Sequence, residues 1–228
     1  IFLRLWQVTY SQTGASLLGG FTLPQMLWYL VVTESIMLST PRVSAYVDQA
    51  VRTGGIAVYL LRPMSYPLHE LFACLGERFI RFAINLAVGS VIALICVGPI
   101  QLNATGLLLF LLAIPLAFVL DFLGYFLVGL CAFWMEDTTG LVFLYSRITM
   151  VLGGMLIPME LFPDAWQPIL RALPFSSIVY GPARMFVRPD LTEFYQLVIR
   201  QGLSIAVFSL VVYLVWNTCL RRVFSNGG

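Results

Sequence analysis

The stretch TPRVSAYVDQAVRTGGIAVYLLRP, residues 40–63, is polar enough to leave a membrane and patterned enough to fold. Thr40 is suited to cap a helix that carries Pro41 in its first turn, where the missing N–H costs nothing. Val43, Tyr46, Val47, Ala50 and Val51 then share one face, with Arg42, Asp48 and Arg52 elsewhere on the cylinder. Asp48 and Arg52 stand four apart, and Gly54-Gly55 supplies a stop. The expectation is a short amphipathic helix over residues 41–53 with an apolar stripe to dock on something. Taken alone, such a helix fits the headgroup layer of a membrane equally well, so its flanks decide.

Those flanks are apolar. The 228 residues are 60% hydrophobic and 11% charged, with a mean hydropathy of +0.90. Soluble domains carry about 25% charged residues, so the composition is that of an integral membrane protein. Long apolar blocks favour helices over the alternating strands of a barrel. The fold class expected is therefore an all-α membrane protein. A net charge of +2 gives no argument for nucleic acid.

Outward from residues 40–63, a partial first span over residues 1–10 is expected, its beginning lying before Ile1. A second span covers 22–39 and contains Glu34. A third covers 82–97, preceded by a charged extension over 68–81 with Glu77, Arg78 and Arg81. A fourth covers 106–134 with Pro115 and Asp121, a fifth 140–157 with Arg147, and a last one 192–219. Residues 158–187, rich in proline and aromatics, are too broken to span. Arg42, Arg52, Arg62, Arg78, Arg81, Arg221 and Arg222 lie on one side of this arrangement, and the turns at 11–20 and 98–105 hold no arginine. By the positive-inside rule both termini are cytoplasmic, and so is the amphipathic helix.

All thirteen basic residues are arginine. Without lysine there is no phosphate-binding loop of the GxxxxGK[ST] kind and no Schiff-base chemistry. A single histidine, His69, makes no multi-histidine metal site, and the four cysteines form no CxxC pair. Asp121 is a lone aspartate, which leaves an aspartyl intramembrane protease without its second carboxylate. No metal and no catalytic residue is expected. Asp121 and Arg147, each near the middle of neighbouring antiparallel spans, are expected to pair, because charges at bilayer depth are costly alone. Glu34 is open to two readings, a lining of a cavity between subunits or a hydrogen bond to a neighbouring span. Arg78 and Arg81 are expected to snorkel to the interface.

Three stretches carry a resemblance. AVRTGGIAVYLLRP (residues 50–63), GGMLIPMELFPDAWQPILRALPFSSIVYGPAR (residues 153–184) and the closing Asn226-Gly227-Gly228 resemble patterns of the type-two ABC permease family. The resemblance implies a six-transmembrane-helix exporter permease fold and a second permease chain, identical or related. It also implies two cytoplasmic ABC ATPase subunits that hold the ATP and Mg, leaving this chain no cofactor of its own. Residues 41–53 would be the coupling helix, meeting the ATPase through Arg42, Tyr46, Val47, Ala50, Val51 and Arg52. Residues 158–187 would be re-entrant helices closing the outer side, an external gate built on Pro158, Glu160, Phe162, Pro163, Trp166 and Pro174. The location implied is the inner (plasma) membrane, in contact with lipid. An apolar pathway suits a hydrophobic or amphipathic substrate; its identity and the direction of transport stay open. An ion-coupled secondary transporter would show inverted repeats, and a non-transporting membrane scaffold is the remaining alternative.

Overall fold

A computed structural model describes residues 2–14, 16–61, 63–100 and 103–226. Arg62 and Gly227-Gly228 lie outside the described residues, as does the side chain of Arg222. The described residues form helices α1 (Phe2–Thr13), α2 (Leu23–Leu38), α3 (Val43–Arg52), α4 (Gly55–Leu60), α5 (Tyr66–Cys96), α6 (Ala104–Leu130), α7 (Thr139–Leu152), α8 (Gln167–Ala172), α9 (Pro174–Ile178), α10 (Tyr180–Val187) and α11 (Leu191–Asn226). Short 3-10 turns follow α6 at Cys131–Phe133 and precede α8 at Met159–Leu161. Among the described residues the fold is all-α, as long apolar blocks favour.

Helix α6 is the axis. Its most apolar stretch is 61% buried within the chain, against 11% for α5 and 17% for α11. It packs on α3, α5, α7, α9, α10 and α11, which is why it carries bulky apolar residues all round. These three helices, α5, α6 with its 3-10 turn, and α11, are long and apolar enough to cross a membrane. At 16 and 14 residues, α2 and α7 are shorter than the ~20 residues a 30 Å hydrocarbon layer asks of one helix.

Helix ends follow local chemistry. Thr22 and Gln25 form a reciprocal capping box at the start of α2, with Pro24 in the first turn. The charged extension and the apolar run that follows it are one continuous helix, α5, of 31 residues. The expected fifth span stops at Leu152, short of residue 157, because Gly154 takes a left-handed φ of 72°. The carbonyls freed there are used: Tyr180 N–H donates to Gly153 O at 3.0 Å and the Tyr29 hydroxyl to Gly154 O. Two large apolar cores and a small third one around Leu109, Met185 and Leu197 result among the described residues. One large core joins α1, α2, α6 and α10 through Phe21, Tyr29, Phe110 and Phe186. The other large core, at the α3 end, joins α3, α5, α6 and α11 through Val47, Tyr66, Phe126 and Trp216.

Candidate functional site: helix α3 and the charge pair beneath it

Helix α3 starts at Val43, two residues later than expected, and Arg42 stands at its N-cap without a side-chain bond. Thr40 does not cap it. Its hydroxyl instead accepts from Arg78 Nη2 at 3.2 Å and donates to Asp121 Oδ2 at 3.5 Å, so the link between α2 and α3 is tied to the bundle interior.

The apolar stripe of α3 seats on the chain's own α6. Val43 and Val47 are 1% and 0% exposed, and Ser44 Oγ donates to Tyr125 O at 2.7 Å. The seat is made by a missing side chain: a Cβ at Gly129 would stand 2.8 Å from Val47 Cβ and 3.1 Å from Ser44 Cα. This corrects the expectation that Val47 is a knob offered to another subunit. Ala50 and Val51 are half-buried against the same core. Arg42, Ala45, Tyr46, Gln49 and Arg52 face outward. Arg52 makes the expected pair with Asp48, bidentate at 2.8 and 3.0 Å, and Thr138 donates to Asp48 at 3.3 Å. That second bond fastens α3 to the start of α7, where Asp137 accepts from Thr139 N at 2.8 Å. Hydrogen bonds from Thr139 hold the Asp137 carboxyl below the usual range. Grooves of about 470 and 330 Å³ flank α3, one floored by Thr40, Thr138 and Ser146, the other by Tyr59, Tyr66 and Glu70.

Because α3 and α6 approach so closely at Gly129, Gly129→Ala is expected to cost about 1–3 kcal/mol through overpacking. The check is the thermal midpoint of detergent-purified protein; an unchanged midpoint would mean that α3 is not pressed against α6.

Beneath α3 lies a buried ion pair. Arg78 Nη1 and Asp121 Oδ2 are 2.7 Å apart, with side chains 3% and 1% exposed. Tyr145 donates to Asp121 Oδ1 at 3.4 Å, and the Arg78 guanidinium stacks over Phe118 at 4.2 Å. One carboxylate thus gathers α5, α6, α7 and the α2–α3 link. Asp121 does not pair with Arg147, and Arg78 does not snorkel. The reason is helical geometry: Tyr145 and Arg147 are about 200° apart around α7, so when the tyrosine points inward the arginine points out. Arg147 is exposed and packs on the Phe143 ring at 4.8 Å. Glu34 is half-buried in a groove between α2 and α5. Arg81 pairs with Glu77 as its spacing suggests.

At the opposite end, the expected gate residues lie in a chain of short helices. Pro158 is buried, Phe162 and Pro174 half-buried, Pro163 and Trp166 exposed. Glu160 is the centre: it accepts from the Tyr180 hydroxyl and lies 3.0 Å from Arg184 and 3.5 Å from Arg171. Arg184 reaches on to Glu193 at 2.7 Å, and Arg200 donates to the Arg171 carbonyl at 2.8 Å. The segment's other two acids, Asp164 and Asp190, hold local turns, accepting from Gln167 Nε2 and from Glu193 N.

Two comparisons with known proteins bear on these features. A family model described as ABC-2 family transporter protein matches residues 1–227. No curated protein matches the chain.

Proposed function

The chain belongs to the ABC-2 transporter family, and on that premise we propose that it is the membrane-spanning subunit of an ATP-driven exporter. Membership implies ABC ATPase partners. In this reading two permease chains stand side by side, each with α1, α2, α5, α6, α7 and α11 as its six spans and both termini in the cytoplasm of a cell whose plasma membrane they cross. Two cytoplasmic ATPase subunits hold ATP and Mg. Helix α3 is the coupling helix, and the segment from Pro158 to α10 closes the outer side. The pathway carries a hydrophobic or amphipathic substrate out of the membrane or the cell.

The observation that supports this reading best is the way α3 is held. A motor can move a bundle only through a rigid element that projects toward it. Helix α3 buries Val43, Ser44 and Val47 in its own chain and turns Arg42, Tyr46, Gln49 and Arg52 outward. An aromatic anchor within a polar, arginine-bearing rim is the composition of a protein interface. Push on that face reaches Asp121 through Thr40, and from Asp121 reaches α5 and α7. The reading assigns the charge pair to force transmission and leaves the apolar walls to the substrate.

Purification of the tagged chain from its own membrane tests this. The complex is expected to contain an ABC ATPase polypeptide and to hydrolyse ATP. A folded, membrane-extracted preparation without either would remove the transport-subunit reading.

A further inference from the structure

Helices α2, α6 and α7 each carry one charged side chain, Glu34, Asp121 and Arg147, and α5 brings Arg78 to Asp121. Arg78 and Asp121 satisfy each other. Glu34 and Arg147 do not: among the described residues Glu34 has no hydrogen bond or ion pair, and Arg147 touches only the Phe143 ring and the Met150 sulfur, at 3.6 Å. Charges at bilayer depth face a partner or water rather than lipid.

Both point away from the chain's own core. Thr33 turns inward, donating to Met155 O at 2.9 Å, and Glu34 is about 100° further round α2. Tyr145 turns inward to Asp121, and Arg147 is about 200° further round α7. Around Arg147 the outer face of α7 is apolar, with Phe143, Leu144 and Val151 60%, 54% and 53% exposed. Glu34 sits in an open groove of about 350 Å³ lined by Leu27, Val31, Leu38, Asn85 and Val88.

Their depths match. Thr40 and Tyr145 both bond Asp121 and mark a common level. From it, Glu34 lies roughly 9 Å along α2 and Arg147 roughly 3 Å along α7, in the same direction at 1.5 Å per residue. An arginine side chain covers the difference of roughly 6 Å.

We infer that Glu34 and Arg147 are the two halves of an ion pair between copies of this chain, Arg147 of each reaching Glu34 of the partner subunit. The occupant of the α2–α5 groove and of the apolar α7 face is a second copy, because a two-fold interface brings residue i to j and j to i. One acid and one base per chain then leave no charge over. An anionic lipid on Arg147 would leave Glu34 unanswered, and a cation on Glu34 would leave Arg147. The inference rests on the permease-pair reading above and names residues that join the pair.

The test uses two differently tagged copies co-expressed in membranes. One carries Glu34→Cys and the other Arg147→Cys, and a short bifunctional thiol reagent is used because an acid–arginine pair holds its Cα atoms beyond disulfide range. A two-tag product is expected only when both variants are present, not with either alone or with the natural cysteines. In parallel, Glu34→Arg is expected to reduce co-purification of the two tags at least ~tenfold, and adding Arg147→Glu to restore it. Co-purification of unsubstituted copies with neither cross-link nor rescue overturns the ion pair while the permease pair stands. Unsubstituted copies that do not co-purify overturn both.

Discussion

Replacing Asp121 by asparagine is expected to lower the thermal midpoint of the purified protein by roughly 10 °C, the scale of 3–5 kcal/mol for a chain of this size. Asparagine has nearly the same shape, so little packing is lost, and it keeps an oxygen for one of the two hydroxyls, Thr40 and Tyr145, which bond different carboxylate oxygens. What is lost is the charge opposite Arg78, whose side chain is 3% exposed with its Nη1 2.7 Å from Asp121. Removing both charges together, with Arg78→Met and Asp121→Leu, is expected to recover most of the stability, since a buried pair often nets little against apolar residues of like volume. The double-mutant cycle isolates the coupling. Single and double variants falling by simple addition would show that the two charges do not act as a pair.

The same pair shows where sequence reading reaches and where it stops. That a charge at the middle of an apolar span needs a partner follows from Asp121 alone. Which partner depends on rotation about α7, and two residues two positions apart cannot both face inward. Tyr145 takes the inward place, so Arg147 is excluded and Arg78 arrives from α5. Hydropathy cannot decide that rotation, because Tyr145 and Arg147 sit in the same apolar run.

Helix α3 was legible in its spacing of Val43, Val47, Ala50 and Val51, and α5, α6 and α11 in their long apolar runs. The target of the α3 stripe was not. An apolar face declares that it is covered without saying by what. Here the cover is α6, and the residue that makes room is Gly129, a position with no pattern of its own. The cluster of Glu160, Arg171, Arg184 and Glu193 was hidden for a related reason. Its members lie on four short or separate elements, and only the packing of α10 beside the Met159–Leu161 turn and α11 gathers them.

A contrast of adjacent residues on α3 gives the sharpest functional expectation. Val47→Asp places a carboxylate where the native side chain is 0% exposed, with no cation on the facing surface of α6. It is expected to cost about 3 kcal/mol or more and to reduce the amount of folded protein in the membrane. Tyr46→Asp falls about 100° round the helix, on the outward side, where the tyrosine is 39% exposed, and is expected to change stability by less than about 0.5 kcal/mol. On the proposed reading Tyr46 is the aromatic anchor of the ATPase contact, so its loss removes about 2 kcal/mol of binding, roughly 30-fold in affinity. The measurement is the amount of ATPase co-purified per folded permease, with the permease quantified by size-exclusion of detergent extracts. A Tyr46→Asp chain that retains its ATPase in full moves the motor's contact away from α3. A Val47→Asp chain that folds normally would mean that α3 is not seated on Gly129 and that its apolar stripe is free for a partner after all.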